Sequence, residues 1–183
     1  MGLVRRHDIH VKDVIIAVAA SGTTPFTVAC VRSAKERRAL TIGIANNTNT
    51  PLLELAEQPI WLDTGPEPIA GSTRMKAGTA QRIALNLLSS LVMIRLGRVY
   101  QGLMVDLQAV NKKLVHRSEN ILSQLTGRGR KEVRDALLRA EGSVKLSLLL
   151  LEGCGPDEAR GILYRGGGQL RAAKALAERQ RSR

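Results

Sequence analysis

Val14-Ile15-Ile16-Ala17-Val18-Ala19-Ala20-Ser21-Gly22-Thr23-Thr24-Pro25-Phe26 is the stretch whose reading decides the fold. The five apolar residues Val14–Val18 show no polar alternation, so they read as a strand of a parallel sheet buried on both faces. Ser21-Gly22-Thr23-Thr24 breaks the run with small and hydroxyl side chains. Pro25 suits the first turn of a helix, where its missing N–H costs nothing. The helix expected over Phe26–Ala39 turns Val28, Val31 and Ala34 inward and Arg32, Lys35 and Glu36 outward. Strand, hydroxyl-rich loop and helix, in that order, make one unit of a parallel α/β fold.

The alternation continues down the chain. Thr41–Ala45 reads as a second strand, Asn46-Asn47-Thr48-Asn49-Thr50 as a turn cluster, and Pro51 as the start of a short helix through Ala56. Pro59–Leu62 is the third expected strand, followed by a loop over Asp63–Ala70. From Thr73 onward the period becomes helical, with Ala77, Ala80, Ala84, Leu87, Leu88, Leu91 and Ile94 at three- and four-residue steps and Gly97 as the stop. A further helix is expected through Leu103, Leu107, Val110, Leu114 and Ile121. The fold class is therefore α/β, a parallel sheet flanked by helices. Three strands are few for such a sheet, which points to a segment upstream.

After Gly127 and Gly129 the character changes. Short apolar helices are expected over Val133–Ala140, Val144–Leu151, Glu158–Leu163 and Leu170–Leu176, and Arg179–Arg183 reads as a frayed tail. This divides the chain into a sheet-containing domain, residues 1–126, and a small helical bundle, residues 127–183.

A second loop repeats the chemistry of the first. Gly71-Ser72-Thr73-Arg74-Met75-Lys76-Ala77-Gly78-Thr79-Ala80 joins two small hydroxyl residues, two cations and two glycines ahead of the long helix. Hydroxyls and backbone N–H groups at a helix start can surround a phosphate, and nearby cations add charge. Two such loops suit a ligand with one phosphate and a polar body, such as a sugar phosphate. The candidate ligand residues are Ser21, Gly22, Thr23 and Thr24 in the first loop and Gly71, Ser72, Thr73, Arg74 and Lys76 in the second. Each has a plainer alternative. Ser and Thr cap helices routinely, and Arg74 and Lys76 are as well explained by surface charge. Glu67 is read as a loop carboxylate held by Arg74 in preference to a proton-transfer group. His7, His10 and His116 read as solvated.

Composition bounds the rest. Aromatics make up only 2% of the 183 residues while apolar residues reach 44%, so the core must be built from Leu, Ile, Val and Ala. The net charge is +12. Residues 127–183 carry 13 basic and 7 acidic side chains against 15 and 9 in residues 1–126, so the shorter C-terminal part is denser in positive charge. The cations are interspersed with acids, and neither zinc-finger spacing nor an aromatic stacking platform is present. That favours a solvated basic surface over a nucleic-acid site, and such a field also attracts anionic small molecules. No apolar run approaches the ~18 residues needed to span a bilayer. Met1–Asp8 lacks the apolar stretch of a secretory signal. Cys30 and Cys154 lie far apart and in no metal-ligand spacing, so a reduced, cytoplasmic protein is expected, with neither metal nor cofactor.

Gly65-Pro66-Glu67-Pro68-Ile69-Ala70 followed by Gly71–Ala80 closely resembles the signature shared by bacterial N-acetylmuramic acid 6-phosphate etherases and the glucokinase regulatory protein. Ala19–Phe26 resembles the phosphate loop of the same etherases. Leu103-Met104-Val105-Asp106 and Asn111-Lys112-Lys113-Leu114 are similar to them too, as is the helical tail. Arg82 stands where the family usually has lysine, which keeps the charge.

The resemblance implies a flavodoxin-like sugar isomerase (SIS) sandwich followed by a small helical domain, usually a dimer. It implies a lyase that cleaves the lactyl ether of N-acetylmuramic acid 6-phosphate to give N-acetylglucosamine 6-phosphate and D-lactate. A base removes the C2 proton, acidified by the open-chain aldehyde, lactate leaves from C3, and water adds back. The family's two catalytic glutamates and another strand–loop–helix half lie upstream of the strand matching Val14–Val18. No catalytic residue is therefore assigned here, and the chain is expected to be the C-terminal part of an etherase, weak or inactive alone. The expected partners are a sugar phosphate and either a second copy or a separate chain supplying the other half. A non-catalytic sugar-phosphate sensor, as in the regulatory-protein branch, is the alternative, and a nucleic-acid module ranks third.

Overall fold

Three strands in the first half of the chain pair in sequence order, all parallel. The computed structural model describes residues 7–181. Met1–Arg6, most of the stretch read for a secretory signal, and Ser182–Arg183 of the expected tail lie outside them. Strand β1 (Val14–Val18) pairs with β2 (Leu40–Ala45) from Val14↔Leu40 to Val18↔Ile44, and β2 pairs with β3 (Gln58–Trp61) from Ile42↔Gln58 to Ala45↔Trp61. Helix α1 (Pro25–Glu36) joins β1 to β2, and the short α2 (Pro51–Leu55) joins β2 to β3. The core they share is small: Ala17, Val31, Ala45, Leu52 and Ala56. Gly43 lets α2 lie close on β2, since a Cβ there would stand 2.8 Å from the Ala56 Cβ and 2.9 Å from the Leu52 carbonyl oxygen.

Helix α3 (Lys76–Arg95) follows. Apolar side chains on every side would suit a helix buried all round. Here Ala77 is its one buried residue, and Ile83, Leu87 and Leu91 are each more than half exposed. Gly97, at φ 67°, ends the helical path as expected, with Arg98 N–H donating back to the Met93 carbonyl at 3.0 Å.

The expected helix through Leu103–Ile121 is not one helix. Strands β4 (Val99–Tyr100) and β5 (Leu103–Met104) form an antiparallel hairpin, and α4 (Lys112–Thr126) starts only at Lys112. The reason is local. Gln101 and Gly102 both take positive φ, 48° and 76°, the two-residue turn that matches strand twist. Asn111 then caps α4, its side-chain oxygen accepting from Leu114 N–H at 2.9 Å. The apolar spacing of Leu103 and Leu107 suits a helix, but the turn between the strands overrides it.

Helices α5 (Arg130–Arg139), α6 (Val144–Leu151), α7 (Pro156–Arg165) and α8 (Leu170–Arg181) complete the chain. The expected frayed tail is therefore helical as far as Arg181. Their core holds Leu122, Val133, Val144, Leu148, Leu149, Ile162 and Leu170, all at most 2% exposed. Burying each Leu, Ile or Val contributes about 1.5–3 kcal/mol before the entropy of ordering the chain is charged.

The chain divides into two compact units, Met1–Leu88 and Ser89–Arg183, within α3. The sequence boundary at 126/127 marks a change of composition. Contacts put the division earlier because Val105, fully buried, packs in the helical core with Tyr100, Leu103 and Leu107 against it. Lys145 fastens the same region: its ammonium donates to Asp106 at 2.8 Å and to the Gly168 carbonyl at 2.7 Å. Among the described residues no helix is long and apolar enough to cross a membrane.

Candidate functional site

The first loop is shaped by its backbone. Ala19 N–H donates to Ile44 O at 3.0 Å, continuing the β1–β2 pairing, and Gly22 N–H turns back to Ala19 O at 2.9 Å. Leu52 N–H, at the start of α2, donates to Gly22 O at 3.0 Å. Gly22 is buried at φ 67°, and a Cβ there would lie 2.2 Å from Thr50 Oγ1. Only glycine fits both the dihedral and the space. Ser21 Oγ accepts from Thr23 N–H at 3.3 Å and from the Thr23 hydroxyl at 3.1 Å. Thr24 is the N-cap residue of α1 by position, yet its side chain makes no capping hydrogen bond. The plain capping explanation thus does not account for the hydroxyls of this loop.

The second loop is tied down by Glu67. Its carboxylate accepts from Lys76 N–H at 3.1 Å and Ala77 N–H at 3.0 Å, the first turn of α3. The Ala77 hydrogen bond is the largest influence on this carboxyl. With the Lys76 N–H and ammonium it outweighs desolvation and holds the pKa below its ordinary value. The sequence expectation that Arg74 holds Glu67 is corrected here: the helix N-terminus does, as the macrodipole favours. Lys76 turns its ammonium onto the Pro66 carbonyl at 2.9 Å and closes the same loop.

Asn46, just past β2, connects the parts. Its amide donates to Leu62 O at 3.1 Å and to Thr64 Oγ1 at 3.4 Å, and its side-chain oxygen accepts from Gln81 Nε2 at 2.8 Å. Its carbonyl accepts from Trp61 Nε1 at 3.2 Å. One side chain therefore holds β2, the exit of β3 and α3 in place.

These elements enclose a cavity of about 460 Å³, lined by Ala20, Ser21, Asn46, Asn47, Thr64, Gly65, Pro66, Glu67, Ala70, Gly71, Ser72, Thr73 and Ala77. It sits at the carboxyl ends of β1, β2 and β3, where open parallel sheets bind ligands. Of the sequence candidates, Ser21, Gly71, Ser72 and Thr73 meet in its wall. Gly22, Thr23, Thr24, Arg74 and Lys76 lie outside the lining; Gly22 and Thr23 shape the Ser21 turn from behind, and Lys76 serves the Pro66 carbonyl. Asn46, Asn47 and Thr64 were read only as turn and loop. A signal was available for the asparagines, since they directly follow a parallel strand at its ligand-binding end.

Residues 6–91, which include both loops, match the model of the SIS domain. An N-acetylmuramic acid 6-phosphate etherase of Deinococcus radiodurans is 51% identical over 160 residues, covering 87% of this chain and 52% of that protein. Etherases of the same name from Streptomyces coelicolor and Rubrobacter xylanophilus are 46% and 45% identical, over 90% and 88% of this chain and 53% and 54% of theirs. This chain is a SIS-domain relative of the N-acetylmuramic acid 6-phosphate etherases. It matches their C-terminal part and spans about half the length of the curated relatives it matches. The cavity of this etherase relative lies entirely within the residues that match the SIS domain.

Proposed function

We propose that the chain is the phosphosugar-binding part of an N-acetylmuramic acid 6-phosphate etherase, taking the phosphate between Ser21 and Gly71-Ser72-Thr73. The observation that carries this reading is the single cavity in which hydroxyls of both loops meet at the carboxyl ends of three parallel strands. Hydroxyl donors of the two loops would hold the anion. The N-terminus of α3 is already capped by the Glu67 carboxylate, so the loop hydroxyls, and not that helix end, would bind the phosphate. Asn46, Asn47 and Thr64 offer donors and acceptors to the sugar. The net charge of +12 draws the anion in from a distance. The reading also carries a cytoplasmic location and assembly with a second copy or a complementary half.

Cleaving the ether by elimination needs a base at the carbon beside the aldehyde. Glu67 is the carboxylate in the cavity wall, and its two backbone hydrogen bonds and lowered pKa make it a poor proton acceptor. The base is therefore assigned to the part of the etherase length that this chain does not span. The same observation favours a second reading, a sugar-phosphate sensor that performs no chemistry.

Calorimetric titration with N-acetylmuramic acid 6-phosphate tests the binding proposal. Binding is expected, weakened about tenfold or more by Ser72→Ala, since a hydrogen bond to a charged group contributes ~1.5–3 kcal/mol. Equal affinity for the unphosphorylated sugar would sink the reading. D-lactate release after addition of the part of a relative's length that lies outside the match separates etherase from sensor.

A further inference from the structure

The second loop, Gly71-Ser72-Thr73, lies on the stretch of chain from Thr64 to Gln81. One amide grips both ends of that stretch. Asn46 Nδ2 donates to Leu62 O at 3.1 Å and to Thr64 Oγ1 at 3.4 Å, and Asn46 Oδ1 accepts from Gln81 Nε2 at 2.8 Å. An asparagine side chain has two hydrogens and two lone pairs to offer. Both hydrogens and one lone pair are used inside the protein, so this side chain mainly holds the chain together. Its main chain reaches the first loop as well: Asn46 N–H donates to Ala20 O at 2.9 Å, one residue before Ser21. Both hydroxyl-rich loops are thus anchored on one residue.

A second clasp lies wholly inside the stretch. Glu67 accepts from Lys76 N–H and Ala77 N–H, and the Lys76 ammonium donates to Pro66 O. These bonds join the stretch to itself; they set its shape and leave its distance from Ser21 open. The Thr64 end follows directly on β3, and sheet-like pairing already fixes that point, with Leu62 N–H donating to Ala45 O at 2.8 Å. The far end, in α3, reaches Asn46 through Gln81. The Gln81 amide is therefore the bond that sets how far Ser72 and Thr73 stand from Ser21.

We propose that Gln81 is a positioning residue of the phosphosugar site, acting through Asn46 to hold the two loops at the spacing at which one ligand touches both. Gln81 itself is absent from the cavity lining, so it contributes no contact to the ligand. Without its donor, the start of α3 loses its tie to Asn46, and binding then carries the cost of ordering the second loop. The Ser72 hydroxyl contributes only when that loop is in place, whereas Ser21, on the other side, keeps its contribution. The inference rests on the phosphosugar reading of the cavity and adds to it which residue sets the spacing.

The test is a double-mutant cycle read by calorimetric titration with N-acetylmuramic acid 6-phosphate. Gln81→Met keeps the length and helix propensity of the side chain and removes the donor. It is expected to weaken binding about tenfold. In that background Ser72→Ala is expected to cost less than about threefold, against about tenfold in the wild type, while Ser21→Ala keeps its full cost. Gln81→Glu, which keeps the shape and replaces the donor by an acceptor, should show the same coupling. Additive effects of Gln81→Met and Ser72→Ala would overturn the proposal, since a general loss of structure would weaken Ser21 and Ser72 alike. A second measurement needs no ligand. Nitroxides at Phe26→Cys, beside the first loop, and Ile69→Cys, beside the second, replace side chains that are 60% and 64% exposed. In a Cys30→Ser background the distance between them is expected to be narrowly distributed and to broaden on Gln81→Met. Identical distributions would overturn the proposal. Absence of binding by the wild type would sink the phosphosugar reading instead, and the distance measurement would still decide whether Gln81 sets the loop spacing.

Discussion

The two compact units are built from the same aliphatic palette and differ in how much of it they bury. The unit ending at Arg183 gathers fourteen buried residues into one cluster, with Leu149, Ile162 and Ala173 fully inaccessible. The unit ending at Leu88 buries five in its cluster, three of them alanine, and leaves Val14, Ile16, Phe26 and Trp61 at 43–60% exposure. The helical unit closes its core with residues near one another in sequence, each helix packing on the next. The sheet unit cannot, because a parallel strand needs neighbours on both sides and layers on both faces. Apolar composition alone does not make a core; the topology must bring the apolar faces together.

The largest test of that contrast is Leu149→Ala against Ile16→Ala in urea denaturation. The first should cost about 2–5 kcal/mol, as for deletions in a packed core, and the second about 1 kcal/mol. Equal costs would erase the difference between the units. Next, Gly22→Ala forces a side chain into Thr50 at a left-handed φ and should cost about 1–3 kcal/mol while abolishing phosphosugar binding. Gly71→Ala, also left-handed at φ 79° but with nothing within 4 Å, should cost less, about 1 kcal/mol. A Gly71→Ala variant as damaged as Gly22→Ala would show that strain, and not crowding, governs the first loop.

Asn111→Ala removes the cap of α4 in the helical unit and should cost about 1 kcal/mol, read from the same transition that reports Leu149. The smallest effect is expected at Glu67. Its folded pKa lies below the ordinary 4.5, so its stabilising contribution is fully present above that value and is lost as pH falls through the lower folded value. Melting temperatures of wild type should therefore drop more steeply on acidification below 4.5 than those of Glu67→Gln. Parallel curves would show that the α3 cap adds nothing measurable at this exposed site.

Much of the secondary structure in both units was legible because its signals are short-range. Val14–Val18 is a strand with the bounds its apolar run suggests, Pro25 and Pro51 open helices, and Val144–Leu151 is a helix over its whole apolar run. The hairpin at Val99–Met104 escapes that reading because Leu103, a strand residue just past the Gln101-Gly102 turn, shares a helical spacing with Leu107. Of the residues that hydroxyl and glycine content single out, Ser21, Gly71, Ser72 and Thr73 line the cavity. Arg74 and Lys76 carried charge in the same motif, yet they lie outside the cavity lining.

The sequence by itself determined the class of fold, the order of the three parallel strands with the helices between them and the two hydroxyl-rich loops, since dihedral preference and periodicity act over a few residues. It also carried the kinship with the etherases. Only the tertiary structure decided which of those residues share a cavity, that Asn46 reaches Gln81 across 35 positions, that Glu67 caps α3, and that Val105 joins the helical core. Those pairings rest on contacts between distant parts of the chain, and no local preference of a single residue encodes its partner.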